Sequence, residues 1–220
     1  MVAKECEDKG ATSKVLCVDI SDTDNLTKAL EDFDDQHPID LLFANAAITR
    51  GTHDDDDATE WEDLWKQIID VNYSGNVCTV MTVYKRMRKR NSGQIASFFG
   101  FPNGCWYNST KSALNSFARD LRYIAKPHNI RVSLITPGAI ATNMTLNSKF
   151  KVHPFVLNDS AGLANVIREQ LESNVFCIVW PFHQMLFAWV LSTFPPRVSI
   201  LISWIYGRLI EKFHGITNYS

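Results

Sequence analysis

Tyr107-Asn-Ser-Thr-Lys111 is the stretch on which the reading of this chain turns. In a helix, residues four apart stand on one face, so the Lys111 ammonium can favour the Tyr107 phenolate and draw its pKa toward neutrality. An unassisted phenol, with a pKa near 10, is too weak a base for that work. Tyrosine and lysine at this spacing are common by chance. Their company is not: Val71-Asn72-Tyr-Ser-Gly75 lies upstream and Thr136-Pro-Gly-Ala-Ile140 downstream.

Outward from this stretch, strand and helix patterns alternate. Lys14 to Ile20 is a short apolar run of β type, and Ser21 or Asp22 can cap a helix from about Thr23 to Asp34. His37-Pro38 breaks that helix before a strand from Ile39 to Asn45. Trp61 to Met87 carries apolar residues at near-helical spacing. A strand at Gln94 to Phe98, a helix at Trp106 to Ala125 and a strand at Arg131 to Ile135 follow. This rhythm predicts an α/β fold with a doubly wound parallel sheet, whose sites form at the carboxyl ends of the strands. Asn45, Ser97 and Pro137-Gly138 would emerge there.

In this order the motifs resemble the short-chain dehydrogenase/reductase family over about residues 1 to 145. Leu41-Leu-Phe-Ala-Asn-Ala-Ala-Ile48 looks like the family's strand and Asn-Asn-Ala-Gly turn, altered here to Ala44-Asn45-Ala46-Ala47. Val71 to Gly75 looks like its V-N-x-x-G helix, Tyr107 and Lys111 like its catalytic pair, and Pro137 to Thr142 like its P-G-x-[IV]-x-T loop. The resemblance implies a Rossmann-like single domain and an NAD(P)-dependent oxidoreductase acting on a carbonyl or alcohol. NADP(H) is placed ahead of NAD(H), and the apolar C-terminal third makes the expected substrate apolar and lipid-like. The resemblance implies Tyr107 as proton donor, Lys111 as its partner on the ribose hydroxyls, Asn72 as anchor of a relay water and Ser97 as donor to the developing alkoxide. It also places Asp19 at the adenine edge, Pro137, Gly138, Ile140 and Thr142 beside the nicotinamide, and Asn45 near the cofactor. Plainer readings stand beside these: Asn72 as a buried group satisfying backbone, and Asp19 as a turn residue before a helix.

The departures point elsewhere. The family opens with a strand and a glycine-rich turn at a helix N-terminus, where backbone N–H groups hold the pyrophosphate. Met1 to Lys9 looks instead like the helix after the second family strand, so the expectation is an N-terminally truncated member lacking roughly 30 or more residues. Between Ile95 and Tyr107 the chain is shorter than the family pattern, with Ser97 as its only serine. The alternative reading is a catalytically inactive homologue acting only as a binding partner.

Composition narrows the field. The 220 residues, 45% hydrophobic, suffice for one sizeable core. With 22 basic and 24 acidic side chains there is no broad positive field for nucleic acid. The basic run Lys85 to Arg90 reads as a solvated helix end. Five cysteines without C-x-x-C spacing and six isolated histidines predict reduced thiols, no metal site and a cytoplasmic setting. Asp54 to Asp57 reads as a solvated loop, and Cys105-Trp106 as part of the substrate wall.

Residues 173–220 stand apart from the dinucleotide-binding part, residues 1–172. No Asp, Glu, Lys or Arg occurs from Ser173 to Pro196. The expectation is a last strand, Val175 to Trp180, then an apolar lid or interfacial helix, with Val198 to Ile210 as a second amphipathic piece. Pro181, His183 and Gln184 interrupt the run, which argues against a span. A small apolar substrate is the expected partner, while the cytosolic face of a membrane and a homo-oligomer stay open.

Overall fold

The computed structural model describes residues 2–49, 58–98, 105–142, 145, 157–183, 186, 194, 195, 198 and 201. Two compact units divide the chain, Met1–Ile178 and Val179–Ser220. Asp54 to Asp57, expected as a solvated loop, and most of the tail, expected as lid or interfacial helices, lie outside the described residues. Among the described residues no helix is long and apolar enough to cross a membrane.

Four strands, β1 (Leu41–Ala44), β2 (Gly93–Phe98), β3 (Ile130–Pro137) and β4 (Cys177–Trp180), make one sheet in the order β1-β2-β3-β4. The pairs β1–β2 and β2–β3 are parallel, with Ala44 opposite Ser97 and Ser97 opposite Leu134. Two helices precede the sheet, α1 (Val2–Glu7) and α2 (Thr23–Gln36), and others fill its connections: α3 (Ala58–Ile69), a π-helical turn (Asp70–Gly75), α4 (Asn76–Arg90), α5 (Cys105–Ala125) and α6 (Ser160–Glu172). Parallel neighbours need such crossovers, and the result is the expected Rossmann-like α/β arrangement.

Asparagine ends three of the crossovers. Asn91, Asn129 and Asn174 each adopt positive φ, from 51° to 54°, just before β2, β3 and β4. Left-handed backbone stops a helix, and asparagine tolerates it better than most side chains. On the sheet, Ile95 and Val132 pack with Val80, Val83, Met87 of α4 and Leu121, Ala125 of α5. Asp34 pins α2 to this core. Its carboxylate, almost fully buried, accepts from Arg86 Nε at 2.5 Å, Arg90 Nη1 at 2.6 Å and the Ile39 amide at 2.8 Å. Burial pulls its pKa upward, but hydrogen bonds from Arg90, Ile39 and Arg86 win and hold it at about 2.

The strand expected at Lys14 to Ile20 does not form. That segment is irregular, and Val15, Leu16 and Val18 are exposed. It runs beside α2: the Lys14 ammonium lies 5.7 Å from the Phe33 ring centroid, and Cys17, Val18 and Asp19 share a shallow cavity of about 350 Å³ with Asn25, Ala29 and Asp32. A strand exists only through hydrogen bonds to a neighbour, and β1 pairs only with β2 among the described strands. Among the described strands the other edge of β1 has no partner, and Leu41 and Phe43 are exposed. The helix from Trp61 to Met87 forms, but as α3 and α4 joined through the π-helical turn.

Candidate active site

Helix α5 carries the tyrosine and the lysine on one face, as their spacing requires. The Lys111 ammonium sits 5.5 Å from the Tyr107 ring centroid and donates to the Phe98 carbonyl at 3.2 Å. This last bond ties the helix to the end of β2, one residue after Ser97. Ser97 is 7% exposed, and its hydroxyl has no hydrogen-bond partner among the described residues. Lys111, with Tyr107 beside it, is thus anchored at the end of β2, the strand that carries Ser97.

Their electrostatics differ from the expectation in one respect. Burial pushes the Tyr107 phenol above its ordinary pKa, and burial also pushes the Lys111 ammonium down, to about 8. The lysine points its charge at a backbone carbonyl, so desolvation governs both groups. A phenol held neutral can donate a proton at pH 7, but it is not poised as a base.

Asn72 is fully buried and its side chain is committed to backbone: Oδ1 accepts from the Ile48 amide at 2.7 Å and Nδ2 donates to the Ile48 carbonyl at 2.9 Å. This is the plainer of its two readings. It fastens the loop leaving β1 to the π-helical turn, a local widening that recurs at functional sites. Asn45 begins that loop and is exposed. Gly75 ends the turn, and a Cβ there would meet the Ile20 carbonyl oxygen at 2.5 Å.

At the end of β3, Gly138 and Ile140 are buried, and Pro137 is half-buried. The Ala141 amide donates to the Asn158 carbonyl at 3.0 Å and the Asn158 amide to Ala139 at 2.9 Å, which fixes the loop. Thr142 is exposed, and its amide donates to Thr145 Oγ1 at 2.9 Å. Asp19 stands in an exposed turn, accepting from the Ser21 hydroxyl at 2.7 Å and the Ser21 amide at 2.9 Å. Those bonds, the hydroxyl's first, lower its pKa. The neighbouring Asp22 caps α2. Asp19 thus has the local turn geometry of its plainer reading and no strand to terminate.

Two features escaped the sequence reading. Asn76, 1% exposed, donates to the Ala46 carbonyl at 2.8 Å. Its signal was the spacing of four from Asn72. Trp65 of α3 and Trp106 of α5 also meet, ring centroids 6.2 Å apart, immediately before Tyr107. Among the described residues no cluster of histidine, cysteine and carboxylate side chains could hold a metal ion.

A family model described as short chain dehydrogenase matches residues 1–151. The chain belongs to this family. The dehydrogenase/reductase SDR family member 4 of Sus scrofa is 34% identical over 113 residues, covering 49% of this chain and 40% of that protein. The 3-oxoacyl-[acyl-carrier-protein] reductase FabG of Chlamydia pneumoniae is 32% identical over 143 residues, covering 61% of this chain and 56% of its own. Among solved structures, a 3-oxoacyl-[acyl-carrier protein] reductase with bound NAD from Brucella melitensis superposes with a TM-score of 0.66 at 26% identity, over 81% of this chain and 74% of that one. The chain spans about half the length, or less, of these two curated relatives.

Proposed function

We propose that this short-chain dehydrogenase acts as an NAD(P)-dependent oxidoreductase on an apolar carbonyl or alcohol. The observation that supports the reading is the bond from Lys111 to the Phe98 carbonyl, which ties the helix of Tyr107 and Lys111 to the strand that carries Ser97. When bound, a nicotinamide cofactor supplies or accepts the hydride. The residues present suit its nicotinamide end: a buried hydroxyl at Ser97 with no partner among the described residues, a buried ammonium at Lys111 and a buried glycine, Gly138. NADP(H) is our choice between the two forms.

In the reducing direction Tyr107 gives its phenolic proton to the substrate oxygen and Ser97 donates a hydrogen bond to the same atom. Lys111 keeps a positive charge beside the phenol at neutral pH. The aromatic pair Trp65 and Trp106 supports an apolar substrate, as does the uncharged run from Ser173 to Pro196. Tyr107→Phe removes one hydroxyl and should cost roughly 100-fold or more in turnover. A variant keeping more than about a tenth of the parent rate would move the proton donor elsewhere.

We place the protein in the cytoplasm, with residues 173–220 able to rest on the cytosolic face of a membrane. Flotation with liposomes decides the latter: recovery wholly in the soluble fraction would remove the membrane from the account.

A further inference from the structure

We propose that Asn76 is a positioning residue that sets the path of the loop Asn45–Ile48. The inference rests on the reading that this loop borders the nicotinamide cofactor.

Asparagine is a poor choice for a buried helix position, because its side chain competes with the backbone for hydrogen bonds and costs free energy when buried unpaired. At Asn76 the cost is offset in a particular way. Nδ2 lies 2.8 Å from the Ala46 carbonyl and 3.1 Å from each of the Val71 and Asn72 carbonyls. An amide nitrogen has two protons for these three acceptors. The shortest contact, to Ala46, takes one proton, and the two carbonyls of the π-helical turn share the other.

Ala46 and Ile48 are two apart, the spacing at which extended backbone presents its polar groups to the same side. Asn76 takes Ala46, and Asn72 takes both backbone groups of Ile48. Two side chains four apart on one helical path therefore serve the loop as a neighbouring strand would. Asn72 alone fixes one residue; Asn76 supplies the second point, which sets direction as well as place. The π-helical turn is part of the device, since it brings the Val71 and Asn72 carbonyls together under the Asn76 amide.

Asn76→Ala and Asn76→Ser in the full chain separate the roles. Serine at this position reaches its own helix, the Asn72 carbonyl, but not Ala46. Two readouts are used: amide hydrogen exchange at Ile48, whose N–H is held by Asn72, and NADPH affinity from tryptophan quenching. We expect both variants to exchange about tenfold faster at Ile48, while Ile95 and Val132 stay within about twofold. NADPH should bind about tenfold more weakly, with kcat at saturating cofactor within about threefold of the parent.

Unchanged exchange at Ile48, or full rescue by serine, would overturn the proposal, since the bond to Ala46 would then hold nothing. So would uniformly faster exchange across the core, or failure of both variants to fold, because each makes Asn76 a stability residue only. Faster exchange at Ile48 in both variants, when the parent itself binds no NADPH, would uphold the positioning role and sink the cofactor reading instead.

Discussion

Replacing Lys111 with methionine should make this protein more stable and abolish its activity. The lysine is 3% exposed, and burial brings its pKa to about 8 from an ordinary 10.5. At pH 7 the amine is protonated in both the folded and the unfolded chain, so the fold bears the whole burial penalty, about 3 kcal/mol. Methionine removes that penalty but also the bond to the Phe98 carbonyl, a loss of about 1 kcal/mol. The net gain is about 2 kcal/mol, or roughly 4–8 °C in Tm for a chain of this size. The pH dependence is the sharper test. Between about pH 8 and 10.5 the folded protein has released its proton while the unfolded chain still holds one, so the parent becomes more stable as pH rises through that window. Urea unfolding of both proteins at pH 7 and pH 9.5 should therefore show the advantage of Lys111→Met shrinking at the higher pH. A variant less stable than the parent at pH 7, or a difference independent of pH, would refute the reasoning. A residue retained at such cost to the fold is best explained by the site it serves.

The remaining predictions concern the segment before α2 and the sheet edge. Gly75→Ala would place a Cβ against the Ile20 backbone and should cost about 1–3 kcal/mol, with proteolysis before Thr23 accelerated; an unchanged cleavage pattern would mean the segment does not depend on that contact. The edge of β1 that has no partner among the described strands, with Leu41 and Phe43 exposed, should drive association, and Phe43→Glu should shift sedimentation toward the monomer. A parent that is monomeric, with a sharp and reversible transition above about 60 °C, would contradict this.

Much of the architecture was legible because its signals are local. β2, β3 and α5 fall where short apolar runs and helical spacing place them, within a residue or two. The pairing of Tyr107 with Lys111 followed from helical geometry alone. What escaped depends on neighbours. Lys14 to Ile20 has the composition of a strand, but a strand exists only through hydrogen bonds to a neighbour, and this segment lies beside α2 instead. Helix α6 carries its own cap, with Asp159 accepting from the Gly162 amide at 2.6 Å, and that signal went unread. Asn76 stands four residues from Asn72, a spacing that carries meaning only once its partner, Ala46, is known to lie opposite. The direction of the Tyr107 shift was misjudged for a related reason: spacing brings the lysine near, but burial, which no spacing reveals, decides what both groups do.

Cofactor binding tests the central claim most directly. NADPH and NADH titrated separately into the full chain should quench part of the emission of the six tryptophans, two of which meet beside Tyr107. The account predicts saturable quenching, with NADPH the tighter of the two. No response to either up to about millimolar concentration, the weak end of specific affinities, would contradict the oxidoreductase reading and leave the inactive homologue in its place.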